Sequence, residues 1–167
     1  MAKGEKVADE PKVEPQVLTE TVLTPEQQMA SFTVAEGYEM NLFASEAEGV
    51  AKPTQFSWDE RGRLYVACSP TYPQTRLGIK PSDFILVLED TDGDGKADKS
   101  TRFAEGLTMV QGVEPGAGGV YVCDFDQIVH LKDTNGDGKI TAISFTKTPN
   151  TPATCPDRVI ERKMPKI

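Results

Sequence analysis

Asp90, Asp92 and Asp94 stand at alternate positions, followed by Gly95, Lys96 and, at the ninth place, Asp98. A calcium loop asks for this order. It uses side-chain oxygens at the first, third and fifth places and a glycine for the sharp turn. A backbone carbonyl follows at the seventh place and a water-linked ligand at the ninth. Lys96 supplies the seventh carbonyl. The twelfth place is Thr101 instead of a bidentate Glu, which predicts fewer protein ligands and weaker affinity than in a helix–loop–helix hand. A second loop lies 43 positions on, with Asp133, Asn135, Asp137, Gly138 and the Lys139 carbonyl, and with Thr141 at its ninth place. One carboxylate has become an amide and another is missing. The first loop is therefore expected to hold calcium more tightly than the second. The plain alternative is a polar turn. In either case the expected role is to pin a loop, not to carry out a reaction.

The elements that position these loops repeat with them. FILVLEDTDGDGK begins at Phe84 and QIVHLKDTNGDGK at Gln127, so each loop is fed by a short apolar run. Gln55-Phe56-Ser57-Trp58 alternates as a strand, Asp59-Glu60-Arg61-Gly62 turns, and Arg63–Ala67 returns as the second half of a hairpin. Phe84–Leu88 and Ser100–Phe103 complete a unit of four strands, the last stopped by Glu105-Gly106. The cycle restarts with Met109–Val113, a turn at Pro115-Gly116-Ala117-Gly118, and strands at Gly119–Cys123, Ile128–Leu131 and Ala142–Phe145. Leu-Tyr-Val at 64–66 and Val-Tyr-Val at 120–122 lie 56 positions apart, because the long loop at 69–83 shrinks to Asp124-Phe125-Asp126 in the second unit. A period of about 40 to 50 residues made of strands is that of β-propeller blades. The fold class expected is all-β: a partial β-propeller of about two four-stranded blades over residues 24–147. Closed propellers have about 4 to 8 blades, so the remaining blades of a longer protein are the expected partner.

Before the blades, residues 1 to about 23 are rich in charge and proline and are expected to be disordered. Thr24-Pro25-Glu26-Gln27 then starts a short helix, with Thr24 as N-cap, Pro25 at the first turn and Gln27 as capping-box partner. Tyr38–Phe43 alternates imperfectly and is expected to form a first strand. Residues 148–167 lose strand periodicity and turn basic, an irregular tail. Hydrophobic residues make up 38% of the 167 and aromatics 7%, and the formal net charge is −8, from 26 acidic and 18 basic residues. That balance excludes phosphate-backbone binding, so no nucleic-acid partner is expected. No apolar run reaches the ~18 residues of a membrane span, and the first residues show no apolar core of a signal peptide.

Single residues carry less. Cys68, Cys123 and Cys155 have no metal-ligand spacing and read as free thiols, with a Cys68–Cys123 disulfide as the other option. His130, the one histidine, stands where the first unit has Val87 and is expected to be a satisfied strand residue. Trp58 and Tyr65 are expected in the blade core. Tyr72 and Arg76, in the long loop, are the candidates for facing a ligand. No catalytic residue stands out, and no phosphate-cradling loop is present.

LTPEQQMASFTVAEGYEMNLFASE, KPTQFSWDERGRLYVA, TYPQ, ILVLEDTDGDGKADKSTRFAEGL and IVHLKDTNGDGK together resemble the N-terminal β-propeller of the membrane-bound dehydrogenases of planctomycetes and verrucomicrobia. The resemblance covers about Leu23 to Lys139. Those large secreted proteins often carry HEAT-like repeats and a C-terminal cytochrome c module, and their propeller is similar to that of the soluble PQQ-dependent sugar dehydrogenases. The resemblance implies an oxidoreductase-like protein with a sugar or alcohol substrate, an extracytoplasmic or periplasmic location, and PQQ in the full-length protein only. It carries the calcium role onto Asp90, Asp92, Asp94, Asp98, Asp133, Asn135 and Asp137. No C-x-x-C-H occurs, so no haem is assigned to this chain, which as a truncated piece is expected to be inactive alone. The alternative is a stand-alone calcium-binding β-module for protein or carbohydrate interaction.

Overall fold

The computed structural model describes residues 23–73 and 80–146, and nearly all regular structure among them is β. Eight strands form two four-stranded antiparallel sheets, each in simple sequential order. The first sheet holds β1 (Pro53–Trp58), β2 (Leu64–Cys68), β3 (Asp83–Glu89) and β4 (Lys99–Leu107). The second holds β5 (Gly112–Gly116), β6 (Gly119–Asp124), β7 (Gln127–Lys132) and β8 (Ala142–Thr146). The expected all-β class and the two units of four strands are both present. The disordered segment and the basic tail expected at the ends lie, but for Leu23, outside the described residues.

Local chemistry explains most of the elements. In α1 (Pro25–Ala30) the Thr24 hydroxyl accepts from the Gln27 amide, while the Gln27 side chain accepts from the Thr24 amide, a complete capping box. Asp59 closes the β1–β2 hairpin by accepting from the amides of Arg61 and Arg63, and Gly62 turns at φ 75°. Between β5 and β6 the two-residue turn Ala117-Gly118 has φ of 50° and 71°, the paired positive values that match the twist of a tight hairpin.

Two expectations are corrected. Tyr38–Phe43 does not form a strand, because neither sheet extends to it and a strand exists only with a ladder partner. Nor does the fourth strand stop at Glu105-Gly106. β4 runs on to Leu107, and register shifts opposite Asp83–Phe84 and Ile85–Leu86 absorb the extra residues.

The core lies on both faces of the first sheet. One face, with Tyr65, Ala67, Ile85, Val87 and Phe103, packs against Val113, Val120, Val122, Val129 and Leu131 of the second sheet. The other, with Val66, Cys68, Phe84, Leu86 and Leu88, is covered by Phe43, Ala44, Val50 and Ala51. Burial on both sides is why β3 reads as an unbroken apolar run. Trp58 is not in this core as expected. It is 49% exposed and meets Phe43 edge to face, with ring centroids 4.8 Å apart. β1 is an edge strand, and Phe56 and Trp58, opposite Val66 and Leu64, lie at the margin of the face that residues 43–51 cover. Tyr65 is buried as expected.

Asp83, fully buried at the start of β3, organises the junction of the sheets. It accepts from the Ser69 hydroxyl at 2.6 Å, the Thr71 hydroxyl at 2.7 Å, and the amides of Thr71 and Val110. Among the described residues no ion pair reaches this carboxylate. Neutral donors therefore hold it, from two separate stretches of chain.

Candidate metal centre

The first acidic loop lies between β3 and β4. Asp90 folds it: its two carboxylate oxygens accept from the amides of Gly93 at 2.7 Å and Gly95 at 2.9 Å. These backbone donors hold the Asp90 carboxyl below its ordinary value of 3.8, the Gly95 amide most strongly. Asp92 and Asp94 accept from the amides two residues ahead, those of Asp94 and Lys96. As a result, one carboxylate oxygen from each of Asp90, Asp92 and Asp94 lies within 4.8 Å of the others. None of the ion pairs among the described residues involves them. Three like charges at that separation repel one another, and a cation among them removes the cost. The oxygens suit a hard ion, and the Lys96 carbonyl follows at the seventh place. The ninth residue, Asp98, is turned to another task. Its carboxylate accepts from the Thr91 amide and, at 2.6 Å, from the Thr91 hydroxyl, tying the loop across its base.

Between β7 and β8 the second loop repeats this frame. Asp133 accepts from the amides of Gly136 at 2.7 Å and Gly138 at 2.8 Å, and the Gly138 bond leads in holding its carboxyl below the ordinary value. Asp137 accepts from Lys139, as Asp94 does from Lys96. At the base Thr141 replaces Asp98: its hydroxyl accepts from the Thr134 amide and pairs with the Thr134 hydroxyl at 2.6 Å. At the third place the Asn135 amide donates to Asp137 at 3.0 Å. The second loop thus cancels with its own amide the repulsion that the first loop retains.

Each loop is also fastened to what precedes its sheet. The Ala97 amide donates to the Phe43 carbonyl at 2.8 Å, and 43 positions on the Ile140 amide donates to the Phe103 carbonyl at 2.9 Å. Gly95 and Gly138 approach the same two segments. The Asn41 side chain donates to the Gly95 carbonyl at 2.6 Å, and a Cβ on Gly95 would collide with it. A Cβ on Gly138 would sit 3.4 Å from the Thr101 methyl. Asn41, Phe43 and Asp83 were not singled out by sequence reasoning. The recurrence of Phe-Ala at 43–44 and 103–104 is the signal that marks the first two.

The remaining candidates fall into place separately. His130 is 9% exposed, its Nε2 lies 3.0 Å from the Gly116 carbonyl, and its ring stacks on Tyr121. It is the satisfied strand histidine expected. Cys68 and Cys123 are free, so they form no disulfide; burial pushes the Cys68 thiol up, and Cys155 lies outside the described residues. Tyr72 lines an open cleft with Lys52, Pro53, Thr54, Pro73 and Gln111, while Arg76 lies outside the described residues. Among the described residues no helix is long and apolar enough to cross a membrane.

No curated protein and no solved structure matches this chain. A family model does, over residues 24–143, which take in both acidic loops and every strand but the end of β8, and the chain belongs to that family, DUF7133, a domain of unknown function.

Proposed function

We propose that the two sheets are consecutive blades of a β-propeller of the PQQ-dependent dehydrogenase type, and that the acidic loops are calcium-held staples between successive blades. The observation that carries this reading is the repeated fastening: Ala97 to Phe43 and Ile140 to Phe103, each from the eighth place of an acidic loop. A loop that both gathers carboxylates and grips the preceding layer converts ion binding into cohesion between layers. In the first loop Asp90, Asp92, Asp94 and the Lys96 carbonyl would hold the ion. In the second loop Asp133, Asn135, Asp137 and the Lys139 carbonyl would do so, with less charge. The open face of the second sheet supports the propeller part. Tyr121 and His130 pair there as Tyr65 and Val87 pair on the first sheet, whose corresponding face is covered by a neighbouring sheet. The sugar or alcohol oxidation and the PQQ of this proposal rest on the resemblance of the motifs and belong to the complete propeller, with its other blades.

Calorimetry with calcium on the wild type and on Asp92→Ala/Asp94→Ala tests the ion. Binding to the wild type and its loss in the double variant are expected. Equal heats for the two proteins would remove the metal role of the first loop.

A further inference from the structure

The stretch Asn41–Ala44 occupies, against the first acidic loop, the place that Thr101–Ala104 of β4 occupies against the second. Two independent contacts set this correspondence in one register. Ala97 meets Phe43 as Ile140 meets Phe103, and Gly95 meets Asn41 as Gly138 meets Thr101. The offset is 60 positions on the strand side for both contacts and 43 on the loop side. Thr101–Ala104 is the fourth strand of a sheet and has a third strand alongside it: Thr101 pairs with Val87, Arg102 with Leu86 and Ala104 with Ile85. Asn41–Ala44 has the same neighbour on its loop side, yet among the described residues no strand lies along its other edge. The residues leading into it are open to solvent, with Tyr38 79% and Met40 40% exposed.

We infer that Asn41–Ala44 is the fourth strand of a further four-stranded sheet and that its free edge takes that sheet's third strand. The partner fitted to it is an antiparallel apolar strand followed by an acidic loop, built as β3 is. The imperfect alternation of Tyr38–Phe43 follows, since this is a strand whose ladder partner is non-local. Main-chain hydrogen bonds supply the affinity of such strand addition, and alternate side chains supply the register. In a ring of blades, this edge is where an early segment of chain completes a sheet formed later. The inference rests on the propeller reading.

A peptide of the β3 sequence Asp83–Glu89, flanked by lysines for solubility, is the probe. In the docked register Leu42 lies opposite the Leu86 place, at the short Cβ separation of a cross-strand pair that a disulfide can bridge. The protein carries Leu42→Cys with Cys123→Ser and Cys155→Ser, and the peptide carries its cysteine at the place of Leu86 or of Leu88. Cross-linking at the Leu86 place is expected to exceed that at the Leu88 place about fivefold, the factor set by about 1 kcal/mol of cross-strand pairing. Equal yields overturn the inference. Because Leu42 is half-buried, hydrogen exchange on the wild type with unmodified peptide gives a second reading. Slowed amides at 41–44 support the docking edge, while slowing confined to β8, or none, overturns it. Exchange at Ala97 separates the two levels of argument. A fast Ala97 amide removes the stapled-blade reading itself, whereas a slow one with register-blind cross-linking removes only the docking edge.

Discussion

The two acidic loops share a backbone and differ in how they satisfy it. In both, the first aspartate accepts from two glycine amides and the fifth accepts from the seventh residue. In the first loop the third place is Asp92, which leaves three carboxylates facing one another. In the second it is Asn135, which donates to Asp137. The fold of the loop is therefore independent of its ligand set. One copy is poised for a cation, and the other closes largely on itself. They also differ in what they grip. The second loop holds a strand of a complete sheet, and the first holds a segment that only mimics one.

The largest test of that mimicry is in the core. Leu88 and Leu131 are equivalent and fully buried, Leu88 on the face covered by residues 43–51 and Leu131 between the sheets. If the segment is as good a cover as a sheet, Leu88→Ala and Leu131→Ala each lose about 2–5 kcal/mol by chemical denaturation. A much smaller loss at Leu88 breaks the equivalence. Next in size are the sixth-place glycines, at φ 85° and 83°. Alanine at either costs about 1–2 kcal/mol of backbone strain, and Gly95→Ala should cost more than Gly138→Ala, since it also displaces Asn41. Thermal melts of the two variants decide the order.

Exchanging the third-place residues sharpens the ligand contrast. Asp92→Asn should stabilise the calcium-free first loop by up to ~1 kcal/mol, the worth of one added hydrogen bond, and weaken its calcium heat. Asn135→Asp should do the reverse in the second loop. Calorimetry and melts with and without calcium read both. The smallest effect is in acid. Asp90 and Asp133 both titrate below their ordinary 3.8 in the folded loop. Their contribution is thus full above the unfolded value and is lost as pH falls through the depressed folded one. The Gly95 and Gly138 amide resonances should therefore shift with midpoints below the ordinary 3.8. A transition at the ordinary value in one loop alone would show that its glycine amides do not hold the carboxylate.

What could be read in the sequence was what local chemistry decides. The capping box at Thr24, the turn glycine at Gly62, the hairpin at Ala117-Gly118 and the two-unit strand order all follow from neighbours in sequence. The acidic triad was legible because its ligands are four residues apart at most. Features that depend on distant chain were not. Trp58 alternates as a core residue does, but nothing local says how far the cover reaches across an edge strand. Tyr38–Phe43 has a strand's pattern without a partner in either sheet. The Phe43 and Phe103 carbonyls act through main-chain atoms that every residue possesses. Asp98, placed by spacing among the ion ligands, spends its carboxylate on Thr91.

The buried Asp83 has a bearing on how the protein unfolds. Its carboxylate is shared by Ser69 and Thr71 in one sheet's loop and by Val110, on the connection to the other sheet. Unfolding the second sheet together with its connection would take the Val110 amide from a buried carboxylate that keeps its Ser69 and Thr71 donors, and a buried acceptor that loses a donor raises the free energy of that state. The Val110 bond thus couples the two repeats, similar as they are, and works against separate melting transitions. A single carboxylate at their seam adds to the shared apolar core in favouring one cooperative unit.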